Sequence, residues 1–150
     1  MKEIKAPNKF DTEDRLIFLA GSIEMGTAEK WQDKIASALK KYDITLLNPR
    51  RDDWDSSWKQ DISNNKFREQ VEWELKAQEQ SDLILMYFDP NTKSPITLLE
   101  LGLFSEQPLI VCCPEGFWRK GNVDIVCKRY DIKTVKNLDE LIKSAVDFSS

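Results

Sequence analysis

SDLILMYFDPNTKSPITLLELGLF, residues 81–104, is the stretch on which the fold turns. It opens with an unbroken apolar run from Leu83 to Phe88, far short of the length a helix of that composition would need. Asp89, Pro90, Asn91, Lys93, Ser94 and Pro95 interrupt it. Apolar spacing then resumes at Ile96, Leu98, Leu99, Leu101, Leu103 and Phe104, with one carboxylate, Glu100, among the leucines. The pattern predicts a buried strand, a loop, and a helix carrying Glu100 in its first turn.

Working outward, the same alternation recurs. Leu16–Ala20 (LIFLA) is a short apolar run ending in the glycine loop GSIEMG, residues 21–26. Trp31, Ile35 and Leu39 then repeat every four residues against Lys30, Lys34 and Lys41, which predicts an amphipathic helix capped by Thr27. Ile44–Leu47 reads as a second strand, stopped by Asn48 and Pro49. From Ser63 to about Gln80 a helix is expected with Phe67, Val71 and Leu75 on its inward stripe and Glu74 on or beside it. Leu109–Cys113 is a further strand. Asn122–Tyr130 reads as a short helix, Ile132–Val135 as the last strand and Leu138–Val146 as the last helix. Residues 1–14 are polar and are expected to form a loose arm ahead of one domain spanning 15–150.

Apolar strands alternating with helices predict an α/β protein with a doubly wound parallel sheet. Five strands without an internal repeat favour the flavodoxin-like order 2-1-3-4-5. In that order the crevice opens beyond the C-terminal ends of the first and third strands, where the chain reverses. The loops Gly21–Gly26 and Asp89–Ile96 meet there, so topology alone brings Glu100 to the cleft.

Composition narrows the chemistry. A net charge of −4 argues against a nucleic-acid or anionic-membrane surface. No apolar stretch reaches the ~20 residues of a membrane helix, and the N-terminal residues lack the core of a signal peptide. Three cysteines, odd in number and without metal-type spacing, suit a reducing cytoplasm. The chain has no histidine, which removes the commonest general base and the Ser-His and Cys-His nucleophile systems. Acid–base work falls mainly to Asp and Glu, and neither a metal nor a cofactor is expected.

Several residues follow as candidates. A desolvated, ionised Glu100 has what attack at an anomeric carbon requires, and Glu74 or Asp89 could serve as its partner acid. Yet Thr97-Leu98-Leu99-Glu100 also matches a capping box, and spacing alone favours that cap. For Glu74 too, spacing alone favours the plainer reading, an amphipathic carboxylate at the edge of the core. Gly21 and Ser22 could hold a hydroxyl or one phosphate at a helix N-terminus. Glu24 in that loop favours the neutral group, a hydroxyl, with a tight turn without a ligand as the alternative. The loop NPRRDDWDSSWKQDISNN, residues 48–65, is too long for simple connection. Its Trp54 and Trp58, with Phe67, could offer a face for a planar base, and Asn48, Arg50, Asp52 and Asp53 could read its edge. Core packing is the usual fate of such tryptophans.

These residues together resemble the nucleoside 2-deoxyribosyltransferase family and its relatives that hydrolyse deoxynucleoside monophosphates. IFLAGSI at 17–23 is similar to the family's first strand and glycine loop, and SDLILMYF at 81–88 to its central strand. Glu100-Leu101-Gly102, six residues after Ser94, resembles the nucleophile motif, and LIVCC follows in place; the likeness covers roughly residues 15–115. It implies that Glu100 forms a glycosyl ester and that Glu74 acts as the acid for the departing base. Glu74 stands where the family carries Asp, one methylene shorter. Ser94 falls where the monophosphate-cleaving relatives hold phosphate and Ser22 matches their glycine-loop serine, while Glu24 replaces their phosphate-binding arginine, which argues for unphosphorylated nucleosides. Pro95 and Ile96 replace small residues, and Ile17 stands near a missing tyrosine. The loop Asn48–Trp58 has the position of the base-binding loop.

The resemblance further implies deoxynucleoside and free nucleobase substrates, no nucleic acid or membrane partner, and a homo-oligomer, at least a dimer. Transfer of 2-deoxyribose between bases is the first expectation. Hydrolysis of deoxynucleoside monophosphates is an alternative, and a non-catalytic nucleoside-binding domain is another of a different class.

Overall fold

The computed structural model describes residues 1–22 and 28–150. Six strands are described: β1 (Lys2–Lys5), β2 (Leu16–Gly21), β3 (Thr45–Asn48), β4 (Leu83–Tyr87), β5 (Leu109–Cys112) and β6 (Lys133–Val135). They form one sheet in the order β1-β3-β2-β4-β5-β6, and each neighbouring pair is parallel. Without β1 this is the expected 2-1-3-4-5 order. Its central strands are apolar throughout because helices cover both faces, so no alternation of polar residues is tolerated.

The five described helices are α1 (Trp31–Leu39), α2 (Asn65–Gln80), α3 (Pro95–Leu103), α4 (Lys120–Arg129) and α5 (Leu138–Ser149). One core packs Trp73 and Ala77 of α2, Leu101 of α3 and Val123 and Cys127 of α4 onto Phe18, Ile84, Met86 and Val111. The other packs Trp31, Ile35 and Leu39 of α1 and Leu141 and Ala145 of α5 onto Ile17, Leu19, Leu85 and Ile110. Alternate residues of each strand thus feed opposite layers, as a period of two requires. The three cysteines are free and buried. No described helix is long and apolar enough to cross a membrane.

Four expectations are corrected. Residues 1–14 do not begin as a loose arm: Lys2–Lys5 pairs in register with Thr45–Asn48 as an edge strand. Its lysines lie at that edge while Ile4 packs on the core, which is how a charged segment can still be a strand. The α2 stripe is rotated. Gln70, Trp73, Ala77 and Gln78 are its buried residues, and Phe67, Val71 and Leu75 are only half-buried.

On α3, Glu100 is the sixth residue, in the second turn rather than the first. The N-cap is Ser94 and not Thr97, so the capping box does not form. Finally, α1 begins at Trp31, and the Thr27 cap expected for it lies outside the described residues, as do Glu24 and the rest of residues 23–27.

Candidate active site

Three turns of α2 and the middle of α3 build a polar ladder in which Gln70, Gln78 and Glu100 are buried and Glu74 is half-buried. Gln70, Glu74 and Gln78 recur every four residues and therefore share one face of α2. Gln70 Nε2 donates to the Pro49 carbonyl at 2.7 Å and to Glu74 Oε1 at 3.2 Å. Gln78 Nε2 donates to Glu100 Oε2 and, at 3.3 Å, to the Glu74 carbonyl. Glu100 comes from α3, which packs into the same core layer as α2. Its carboxylate is therefore held by α2 rather than by its own helix end.

Burial strips both carboxyls of water, and each stays protonated well above the usual range. Burial pushes Glu74 to about 7, against which the Gln70 hydrogen bond acts. Burial, reinforced by the Glu74 charge, pushes Glu100 to about 8 against the opposing Gln78 hydrogen bond. The two titrate as a pair: Glu74 gives up its proton first, so between those values the one shared proton rests mainly on Glu100 and passes to Glu74 in the minor form. One carboxylate with one carboxylic acid beside it is the pairing that acid-assisted nucleophilic displacement needs.

A second cluster lies at the N-terminus of α3. Ser22, Thr92 and Ser94 are buried. Their hydroxyls lie 3.0 Å (Ser22–Thr92), 2.5 Å (Ser22–Ser94) and 2.7 Å (Thr92–Ser94) apart. Ser22 Oγ also accepts from the Asp89 N–H at 2.9 Å. Ser94 adopts a left-handed backbone, φ 46°, and starts the helix that carries Glu100 six residues on. At 1.5 Å per residue, that puts about 9 Å along the axis between them.

Gly21 lets this corner close. A Cβ there would lie 2.4 Å from the Tyr87 carbonyl oxygen and 2.8 Å from Trp31 Cζ2. The Trp31 indole N–H then donates to the Ser22 carbonyl at 3.1 Å.

The structure thus brings Glu74 and Glu100 together, and Gly21, Ser22, Asp89 and Ser94 into one corner. It gives Asp89 a different task from acid catalysis. Its Oδ2 accepts the Glu29 N–H and its Oδ1 the Asn91 N–H, so the carboxylate ties two loops. Asp89 lines a cleft of about 730 Å³ with Glu29, Tyr87, Pro114 and Leu138. That cleft lies on the α1/α5 side of β4, and neither Glu74 nor Glu100 lines it.

The long loop divides at its root. Asn48 is buried and its Oδ1 accepts the Arg50 N–H at 3.0 Å, closing a turn. Pro49 touches the ladder through Gln70. Beyond them Arg50 is exposed, Asp52 pairs with Lys5 at 3.2 Å, and Trp54 meets Trp58 edge-on, ring centroids 5.0 Å apart. Among the described residues, no hydrogen bond or ion pair joins Arg50, Asp52 or Trp54 to the carboxylates. The arginine that anchors the loop is Arg51, bonded to Asp53 at 2.6 Å and Glu69 at 2.9 Å and lying over the Trp58 ring.

Sequence reasoning missed Gln70, Gln78, Thr92 and Arg51. The spacing of Gln70, Glu74 and Gln78 was the available signal for two of them.

A model of the family described as nucleoside 2-deoxyribosyltransferase like matches residues 14–117. That span holds both carboxylates, the hydroxyl corner and the long loop. A conserved protein from Enterococcus faecalis has a similar fold, with a TM-score of 0.62 at 14% identity over 90% of this chain and 99% of its own. No curated protein matches the sequence. With more than half of its length matched by that model, the chain belongs to the nucleoside 2-deoxyribosyltransferase-like family.

Proposed function

We propose that the protein is a retaining N-glycosyl enzyme that transfers 2-deoxyribose between nucleobases, with hydrolysis when water is the acceptor. The observation that carries this reading is the Glu74–Glu100 pair, a half-buried and a buried carboxyl on neighbouring helices with elevated proton affinity. In the first half, from the form of the pair in which the shared proton sits on Glu74, a Glu100 oxygen attacks C1′ of the deoxynucleoside. The C1′–N bond breaks, its electron pair leaves with the base, and Glu74 supplies the proton that the base takes up. In the second half, a nitrogen of the incoming base, or a water oxygen, attacks C1′. The ester bond breaks, Glu100 is regenerated as carboxylate, and Glu74 recovers a proton. Two displacements at one carbon retain its configuration.

Within this reading Ser22 and Ser94 hold the 5′ end of the sugar, and the loop from Asn48 covers the base, with Arg50, Asp52 and Trp54 at its outer edge. The hydroxyl corner at the start of α3 favours a second reading, in which a 5′-monophosphate is the substrate and water the acceptor. The catalytic pair is common to both.

The test is to incubate the protein with deoxyinosine or thymidine, with and without adenine, and to follow products by chromatography. Deoxyadenosine formed only when adenine is present supports transfer. Faster base release from the 5′-monophosphate than from the nucleoside favours the second reading. Ligand-induced thermal stabilisation without released base would point to a binding domain instead. Glu100→Gln should lower turnover roughly a thousandfold or more, as loss of a nucleophile does, with an unchanged circular dichroism spectrum. Full activity in that variant would sink the assignment.

The family resemblance implies a homo-oligomer. The stripe Ile96, Leu99 and Leu103 on the outer face of α3, 59%, 58% and 56% exposed, supports it by offering an apolar face beside the site.

A further inference from the structure

Gln78 is fully buried, 0% exposed, in the middle of a carboxylate pair. A glutamine in that position has no solvent to satisfy it, so its bonds define what it does. Its Nε2 has two acceptors, Glu100 Oε2 and the Glu74 carbonyl. Its Oε1 is buried and has no hydrogen-bond partner among the described residues.

A primary amide can meet a carboxyl group with either end. Its N–H satisfies a carboxylate, whereas its oxygen satisfies only the protonated acid. The Glu74 main-chain oxygen is an acceptor under all conditions and can pair only with the N–H end. It therefore decides which end faces Glu100, at the expense of an orphaned amide oxygen. From this geometry we propose that Gln78 is a positioning residue for Glu100. Oriented by the Glu74 carbonyl, its amide clamps one carboxylate oxygen, favours the ionised form, and leaves the other oxygen free to attack.

The inference deepens the catalytic reading above and rests on it for the word attack. The orientation itself depends only on the buried contacts. No other titratable group lies on α3. Among the described residues, the charge that acts on Glu100 from the neighbouring elements is Glu74 on α2. Gln78 is thus the one neighbour of those two that favours a negative charge there.

The test replaces Gln78 with methionine, of similar length and without a donor. Proteins carrying carboxyl-labelled glutamate are titrated by carbon NMR, with Glu100→Gln identifying the Glu100 signal. Losing a hydrogen bond to a charged group moves a titration midpoint by about one to two pH units. The Glu100 midpoint in Gln78→Met should move upward by about that amount, and the acid limb of kcat should move with it while KM changes little. An unmoved Glu100 titration in the folded variant overturns the proposal.

If Gln78→Met does not fold, Gln78→Asn, which withdraws the amide by one methylene, is titrated in its place with the same two outcomes. The NMR arm is independent of turnover. Should Glu100→Gln retain activity, the catalytic reading fails while the titration still decides what Gln78 does.

Discussion

At the scale of single residues, the two carboxyls make the folded protein proton-hungry. Both start from an ordinary value of 4.5 and rise to about 7 and about 8 on folding. Between those limits the folded state binds more protons than the unfolded chain, so stability falls as pH rises from about 4.5 to about 8. A tenfold change in proton affinity corresponds to about 1.4 kcal/mol, which makes the effect a matter of several kcal/mol across the pair. Thermal unfolding followed from pH 5 to 9 should show Tm declining across that window. Glu100→Gln should unfold near the parent's Tm at pH 5 and above it at pH 8.5. Within the proposed mechanism, a site that gains stability when Glu100 is neutralised carries a strain kept for chemistry. Gly21 is the opposite case, a residue kept for space. Gly21→Ala places a methyl within 2.4 Å of the Tyr87 carbonyl oxygen. Overpacking of a rigid corner typically costs about 1–3 kcal/mol, measurable as a lowered denaturant midpoint. An unchanged midpoint would mean that β2 can shift away from β4.

At the scale of elements, the long loop after β3 is anchored through the buried Arg51, beside the more exposed Lys5–Asp52 pair. Arg51 is 3% exposed, while its partners Asp53 and Glu69 are 62% and 52% exposed. Removing it leaves those carboxylates solvated, so the penalty is that of lost hydrogen bonds and packing, about 1–2 kcal/mol. Arg51→Met should raise the rate of limited proteolysis between residues 52 and 63 far more than it lowers Tm. Equal cleavage rates in parent and variant would remove Arg51 as the anchor. Most elements were legible because buried parallel strands must be apolar end to end: Leu16–Ala20, Leu83–Phe88 and Leu109–Cys113 announce themselves. What escaped did so for physical reasons. KEIK at Lys2–Lys5 is an edge strand, whose outer residues face water and read as a charged arm. The inward face of α2 was misplaced because its buried residues include glutamines, which hydrophobic periodicity does not count. Glu100 was legible as a carboxylate in an apolar setting. Its hydrogen-bond partner in α2 was not, since a capping box and a buried hydrogen bond look alike in spacing. Arg50 and Arg51 are adjacent in sequence, and only packing tells the exposed one from the anchor.

At the scale of the whole molecule, the α3 stripe bears on assembly. If copies meet there, the double substitution Leu99→Glu with Leu103→Glu should reduce the species seen by light scattering to a monomer. A monomeric parent would dispose of the idea. The edge strand β1 bears on solubility: deleting residues 1–5 uncovers the buried β3, Thr45–Asn48, as a new sheet edge. Such an edge recruits other chains, so the truncated protein should aggregate on heating at a lower temperature than the parent. The all-parallel sheet has one more consequence, in time rather than in space. No two neighbouring strands can be joined by a tight turn. Ile17 pairs with Leu83 at the centre, and Lys2 with Thr45 at the edge. Every pairing thus encloses a long segment whose chain entropy is lost before the contact rewards it. Among the described strands there is no hairpin from which a sheet could start, so refolding belongs to the slow class dominated by non-local contacts. The centre, β2 on β4, has the most apolar contact to offer and is the natural place to begin. The strand that comes earliest in the sequence then docks late, once Thr45–Asn48 is in place to receive it.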